Sequence, residues 1–192
     1  MQVAIYQQAK KGKGFCGDSY FYSETESEFI CAIADGLGSG KFAKESSQIV
    51  IDIIKNNRYD SVQQIIKKCN KQLYGKRGAV LGILKIDLNS HNYTFSSIGN
   101  IGLIIIAPHS KNRRNIPSGG YLAGYERSVK VMEGMLECKM NFIMFSDGVK
   151  EADLAQNYLK NPNVHELIET FAMTNTTERQ DDTTLIAMRY EE

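Results

Sequence analysis

No apolar stretch in this sequence is long enough to cross a membrane. Unbroken runs such as LIIIA at 103–107 fall far short of the roughly 20 residues a bilayer requires. The opening stretch MQVAIYQQAKKGKG has no apolar core of the kind a secretory signal carries. Both absences lead to the expectation of a cytoplasmic protein with no membrane partner. Neither sign of charge dominates: 23 Lys and Arg stand against 22 Asp and Glu, a formal charge of +1. A dedicated nucleic-acid surface shows a strong basic excess, so no nucleic-acid partner is expected. The cysteines Cys16, Cys31, Cys69 and Cys138 show no CxxC spacing, which argues against a thiolate zinc site or a thioredoxin-type motif. Six residues after them stand Tyr22, Leu37, Gly75 and Met144. None is arginine, so the C-x5-R loop of cysteine-based phosphatases is excluded.

What is present is a series of short apolar or alternating runs. VAIYQ (3–7), YFYS (20–23) and FICAIA (29–34) read as strands. Apolar residues recur at helical spacing over 42–56, and again over 61–74 through Val62, Ile65, Ile66, Cys69 and Leu73. Asp60 or Ser61 fits the N-cap of the second helix, and Gly75 its stop. AVLGILKID (79–87), YTFSSI (93–98) and GLIIIA (102–107) follow as strands, and the linkers LNSHN and GN have the composition of hairpin turns. The segment 108–128 reads as an irregular loop, 141–146 as a buried strand, 150–159 and 163–173 as helices, and 183–190 as a last strand. There is no repeat, low-complexity tract or linker, so one α+β domain over 1–192 is expected. Short turns between consecutive strands favour largely antiparallel sheets.

The position of the acids is the informative feature. FICAIA ends in Asp35-Gly36, and NFIMFS ends in Asp147-Gly148. Asp18 precedes one strand, and Asp181-Asp182 precedes another. Neighbouring strands would bring these carboxylates to one rim, where they repel unless a cation intervenes. An all-oxygen set suits Mg²⁺ or Mn²⁺, and His91, His109 and His165 are not close in sequence to any of the acids. Asp-Gly is also a common turn pair, so spacing alone leaves a purely structural role open.

The glycines after Asp35 suggest a second chemistry. Gly36-Leu37-Gly38 opens a GxGxxG, but Lys41 stands where the third glycine belongs. Gly40-Lys41 would close a P-loop, but Phe42 replaces its hydroxyl residue. Both phosphate-binding fingerprints fail at a diagnostic position.

Taken in order, GDSY (17–20), ADGLGSG (34–40), SIGN (97–100), SDG (146–148) and DDTT (181–184) resemble the metal-dependent serine/threonine protein phosphatases. The likeness is to their bacterial sporulation and stress-response branch, and it runs from about residue 3 to 190. The resemblance implies two packed, largely antiparallel β-sheets flanked by helices, an α-β-β-α sandwich, with two divalent cations, Mn²⁺ or Mg²⁺, at one end. It implies that Asp35 bridges both ions and that the Gly36 carbonyl binds one. Asp147 and Asp181 would ligate the other, and Asp18 would hold water at the centre. Asp182, where many relatives have asparagine, would support the site or join the ligands. Lys13 stands where many eukaryotic members carry a phosphate-gripping arginine, and it offers a point charge in place of a fork. Leu37 stands where those members place a histidine acid. Gly38 and Gly40 would leave room for the substrate chain. The resemblance further implies a phosphorylated protein substrate, a STAS-domain stressosome protein, and a monomeric enzyme. Two alternatives remain at this stage: a non-catalytic binding module of the same fold, and a nucleotide-binding enzyme using the DGLGSG loop.

Overall fold

A computed structural model describes residues 1–109, 111–154, 157–174 and 179–191; the side chains of residues 157 and 158 are outside the description. Among the described residues, ten strands form two five-stranded antiparallel sheets. The first has the order β1 (Gln2–Gln8), β10 (Thr183–Arg189), β9 (Asn141–Phe145), β6 (Gly102–Ile106), β7 (Arg113–Arg114). The second runs β2 (Asp18–Glu24), β3 (Glu28–Gly36), β4 (Ala79–Asp87), β5 (Asn92–Ile98), β8 (Met132–Met135). Helices α1 (Lys41–Asn56) and α2 (Val62–Gln72) cover the outer face of the second sheet, and α4 (Val164–Thr174) covers the first. The short α3 (Glu151–Leu154) follows β9. The expected α-β-β-α arrangement is what forms.

Strand β3 shows why its sequence is apolar without alternation. Phe29, Cys31 and Ile33 point into the core between the sheets, with Phe142, Met144, Ile186 and Met188 opposite. Ile30, Ala32 and Ala34 point the other way, against Val50, Ile51, Ile54 and Ile65 of the helices. A strand covered on both faces has no polar side to show. Each large aliphatic side chain so buried contributes roughly 1.5–3 kcal/mol. Helix α2 begins at Ser61, whose side chain accepts from the Gln64 amide while Gln64 returns the bond, a full capping box.

Three expectations need correction. The GN linker is not a hairpin: β5 and β6 lie in different sheets. Gly99 turns there at φ +91 with its amide on Ser118 O (2.7 Å), and an added Cβ would overlap Val80. The tight crossing demands glycine and sets Asn100 facing the opposite sheet. The segment 108–128 carries β7 within it, and β8 lies just beyond, two short edge strands with little apolar pattern to betray them. The expected helix 150–159 is α3 followed by a 3₁₀ turn over Asn157–Lys160, with 155 and 156 outside the described residues. Among the described residues, no helix is long and apolar enough to cross a membrane.

Candidate active site

The ends of β2, β3, β9 and β10 meet at one rim of the sandwich. Asp18 and Asp35 are direct cross-strand partners, an arrangement in which like charges destabilise a sheet. Asp147 and Asp181 arrive from the other sheet, immediately after β9 and before β10. Burial first, then Asp18, Asp147, Asp181 and Asp182, push the Asp35 carboxyl up to about 8. That shared influence is the mark of convergence. Among the described residues no donor reaches the Asp35 carboxylate.

Asp18 is fully buried. Ser146 Oγ and Thr184 Oγ1 both donate to its Oδ2 at 2.7 Å, while Oδ1 has no partner. Burial raises its carboxyl to about 6, against the lowering effect of the Thr184 and Ser146 bonds. An orphaned buried carboxylate oxygen costs on the order of 1–3 kcal/mol, more when charged, and so points to a group that supplies the missing contact. Asp147 takes a hydrogen bond from Asn100 Nδ2 (2.7 Å), and its carboxyl is raised by burial and by Asp181. Asp181 is exposed, with Oδ1 accepting from the Asp182 amide (3.0 Å).

Asp182 is spent differently. Its Oδ1 accepts from the Lys10 amide and its Oδ2 from the Gly17 amide, both at 2.8 Å. Those bonds pin the loop before β2 beneath the rim. Each Asp-Gly glycine has a packing reason that sequence alone did not show. A Cβ at Gly36 would overlap the Ala43 carbonyl of α1, and one at Gly148 would overlap Asp182 O. Beyond them, Gly38 and Gly40 adopt φ +96 and +74, conformations glycine allows without strain. Space above Gly40 is open, but at Gly38 an added Cβ would lie 2.7 Å from Arg77 Nη1. Lys13 is exposed on a turn closed by its own amide to Lys10 O (3.1 Å), and among the described residues no contact joins its ammonium to the acids.

Several supporting residues escaped the sequence reading. Ser146, Thr184 and Asn100 lay inside motifs already noted, yet their partners are 128, 166 and 47 residues away. Arg179 is 4% exposed and donates to Gly148 O (3.3 Å) and Asp153 Oδ2 (3.2 Å), joining the two acid-bearing segments. Lys44 Nζ donates to Asp18 O (2.8 Å) and Ser19 Oγ (2.9 Å). Of the exposed Lys111, Arg113 and Arg114, Arg113 donates to Tyr93 Oη and Arg114 is paired with Glu151.

The donor set fits a hard divalent cation. It is all oxygen, it repels itself when unneutralised, and one buried oxygen lacks a partner. Among the described residues, no three His, Cys, Asp or Glu side chains are grouped tightly enough to cage an ion unaided. Mg²⁺ does not require such a cage, since it keeps several waters and takes only one or two carboxylates.

Known proteins resemble this chain over nearly its whole length. The family model Stage II sporulation protein E (SpoIIE) matches residues 25–191. The phosphoserine phosphatase RsbX of Bacillus subtilis (strain 168) is 38% identical over 186 residues, 97% of this chain and 93% of that protein. A crystal structure of RsbX in complex with magnesium aligns at TM-score 0.92 and 38% identity, covering 98% of this chain and 94% of that one. A structure from work on the bacterial stressosome aligns at TM-score 0.87 and 25% identity, covering 96% and 97% of the two chains.

Proposed function

Because this chain belongs to the SpoIIE family, we propose that its acidic rim is the active site of a metal-dependent protein phosphatase acting on phosphoserine and phosphothreonine. The observation that carries this reading is the convergence on Asp35 of four further carboxylates, none of which forms a salt bridge among the described residues. A pair of divalent cations, Mn²⁺ or Mg²⁺, supplies Lewis acidity there when bound, acidifying water and offsetting charge on the phosphoryl oxygens. Asp35, Asp147, Asp181 and the Gly36 carbonyl are the groups that would hold them. Magnesium in the RsbX crystal structure supports the choice of ion.

The protein's own residues do the rest. Ser146 and Thr184 fix Asp18 through one oxygen, which leaves the other to accept a hydrogen bond from water held at the site. Asn100 orients Asp147, and Asp182 holds the loop carrying Gly17 by both oxygens. Leu37 offers no proton, so the leaving serine oxygen takes its proton from solvent at the rim. No side chain needs to act as a covalent nucleophile.

The substrate class is a phosphorylated protein, a STAS-domain component of a stressosome, dephosphorylated as negative feedback in the bacterial general stress response. Likeness to RsbX and to the stressosome structure supports it. The enzyme acts as a cytoplasmic monomer of one domain. Hydrolysis of a phosphoserine protein or an aryl phosphate, measured with Mn²⁺, with chelator and in Asp35→Asn, tests the reading. Mn²⁺-dependent activity lost on chelation and on substitution is expected. Full activity in Asp35→Asn would overturn it.

A further inference from the structure

The cations near the rim are unequally engaged. Lys44 and Arg179 are committed to Asp18 O, Ser19 and Gly148 O, and Lys13 lies out on its turn. Arg77 is placed differently. The residues that follow it are tied to the loop after Asp35: the Leu37 amide donates to Gly78 O (3.1 Å) and Gly36 pairs with Ala79. The Arg77 guanidinium rests on the bare backbone of Gly38 and stands 5.1 Å from the ring centroid of Phe42. That ring, in the first turn of α1, is 59% exposed. Among the described residues no carboxylate pairs with Arg77.

A guanidinium over the face of an aromatic ring is attracted there without spending its N–H donors on a carboxylate. Such a fork matches the two oxygens of a phosphoryl or carboxylate group. Gly38, which the fork touches, is three residues past Asp35, so their Cα atoms lie at most about 11 Å apart. Phe42 gains a reason for its exposure, as the platform that holds the fork in place.

We propose that Arg77 is a specificity-determining contact for the phosphorylated substrate. Its fork binds an oxyanion of the substrate chain as that chain crosses the Gly36–Gly40 loop. The oxyanion is the phosphoryl group itself or an acidic side chain flanking the phosphoserine. This inference rests on the phosphatase reading above.

The test uses the Mn²⁺-loaded full chain with three substrates: an aryl phosphate, and phosphoserine peptides with acidic or neutral flanks. Arg77→Ala lowers kcat/KM on the acidic peptide about tenfold or more, mainly through KM. Arg77→Lys recovers only part, because it restores charge without the fork. Mn²⁺ binding by calorimetry and the Tm stay at wild-type values, which a purely structural role would not allow. Equal loss on the aryl phosphate assigns the phosphoryl group; loss confined to the acidic peptide assigns the flank. Arg77→Ala within about twofold of wild type on all three substrates overturns the proposal, as does full efficiency in Arg77→Lys. Absence of Mn²⁺-dependent hydrolysis in the wild type would instead sink the phosphatase reading.

Discussion

Glu28 and Asp35 sit near opposite ends of β3, and each faces another carboxylate across the sheet: Glu28 opposite Asp87, Asp35 opposite Asp18. At the Glu28 end a cation answers the charge, although Glu28 Oε1 itself has no hydrogen-bond partner. Lys85 Nζ lies 3.3 Å from Glu28 and donates to the carbonyls of Arg58 (2.6 Å) and Asp60 (2.8 Å). Asp87 takes the amides of Ser90 and Asn89, and the Ser90 bonds hold its carboxyl below the usual range. At the Asp35 end, among the described residues, no cation pairs with either carboxylate, and both carboxyls are pushed upward. A cavity of about 480 Å³ lies at the Glu28 end, lined by Ser27, Glu28, Lys85 and Asp87 among others. Hollow space therefore points to one end and uncompensated charge to the other. Charge is the better guide, because a folded chain tolerates an empty groove more cheaply than repelling buried carboxylates.

Replacing Asp35 attacks this difference most directly. Asp35→Asn is expected to reduce Mn²⁺-dependent hydrolysis by at least about 10³-fold, while making the metal-free protein more stable. The sign follows from the raised carboxyl. Its ordinary value is 3.8 and its folded value about 8, so between those limits the unfolded chain has released a proton that the folded chain keeps. Metal-free stability therefore falls as pH rises from about 4 to about 8. In chelator at pH 8, Asp35→Asn should melt about 3–8 °C above wild type, with a flatter pH dependence. Mn²⁺ should raise the wild-type Tm more than that of the variant. A lower Tm for Asp35→Asn in chelator would mean that Asp35 is satisfied within the fold, and the contrast between the two ends would be lost.

The acid rim was legible because Asp35 and Asp147 each follow a run with no other charge, and an acid in that position must lie at a strand end. The strands themselves were legible where both faces are buried, as in FICAIA. Legibility stopped where a role depends on a distant approach. GN has hairpin composition, yet it crosses between sheets because Val80 and Ser118 crowd Gly99. Arg77, in KRG, looks like a solvated basic turn until Gly38 and Phe42 are brought beside it. Short edge strands such as β7 and β8 owe their pairing to a neighbour and not to an apolar pattern of their own.

The other end of β3 predicts the opposite behaviour. Lys85→Met strands the Glu28 carboxylate and two carbonyl acceptors, at 15% and 18% side-chain exposure for the pair. A loss of about 2–3 kcal/mol is expected, seen as a fall in Tm of about 4–10 °C. Adding Glu28→Gln should recover part of it, since it removes the stranded charge. Hydrolysis by the folded fraction should stay within about twofold of wild type. A selective loss of Mn²⁺-dependent turnover without a fall in Tm would show that the two ends are coupled.

The smallest effect is expected where charges are plentiful and two of three are already engaged. Lys111, Arg113 and Arg114 look like a docking patch by composition. Arg113 is held by Tyr93 Oη at 2.9 Å, and Arg114 meets both oxygens of Glu151 while lying over the Phe145 ring at 5.6 Å. Exposed pairs of this kind add little to stability and are screened by salt. Changing all three residues to alanine should leave kcat/KM on a phosphoserine protein within about twofold, at both low and high ionic strength. Arg77→Ala, one unmatched guanidinium, should cost more than these three together. A larger loss in the triple variant, growing as salt is lowered, would move substrate recognition to the 108–131 side of the rim. The unmatched charge at Arg77 would then not be the one that matters.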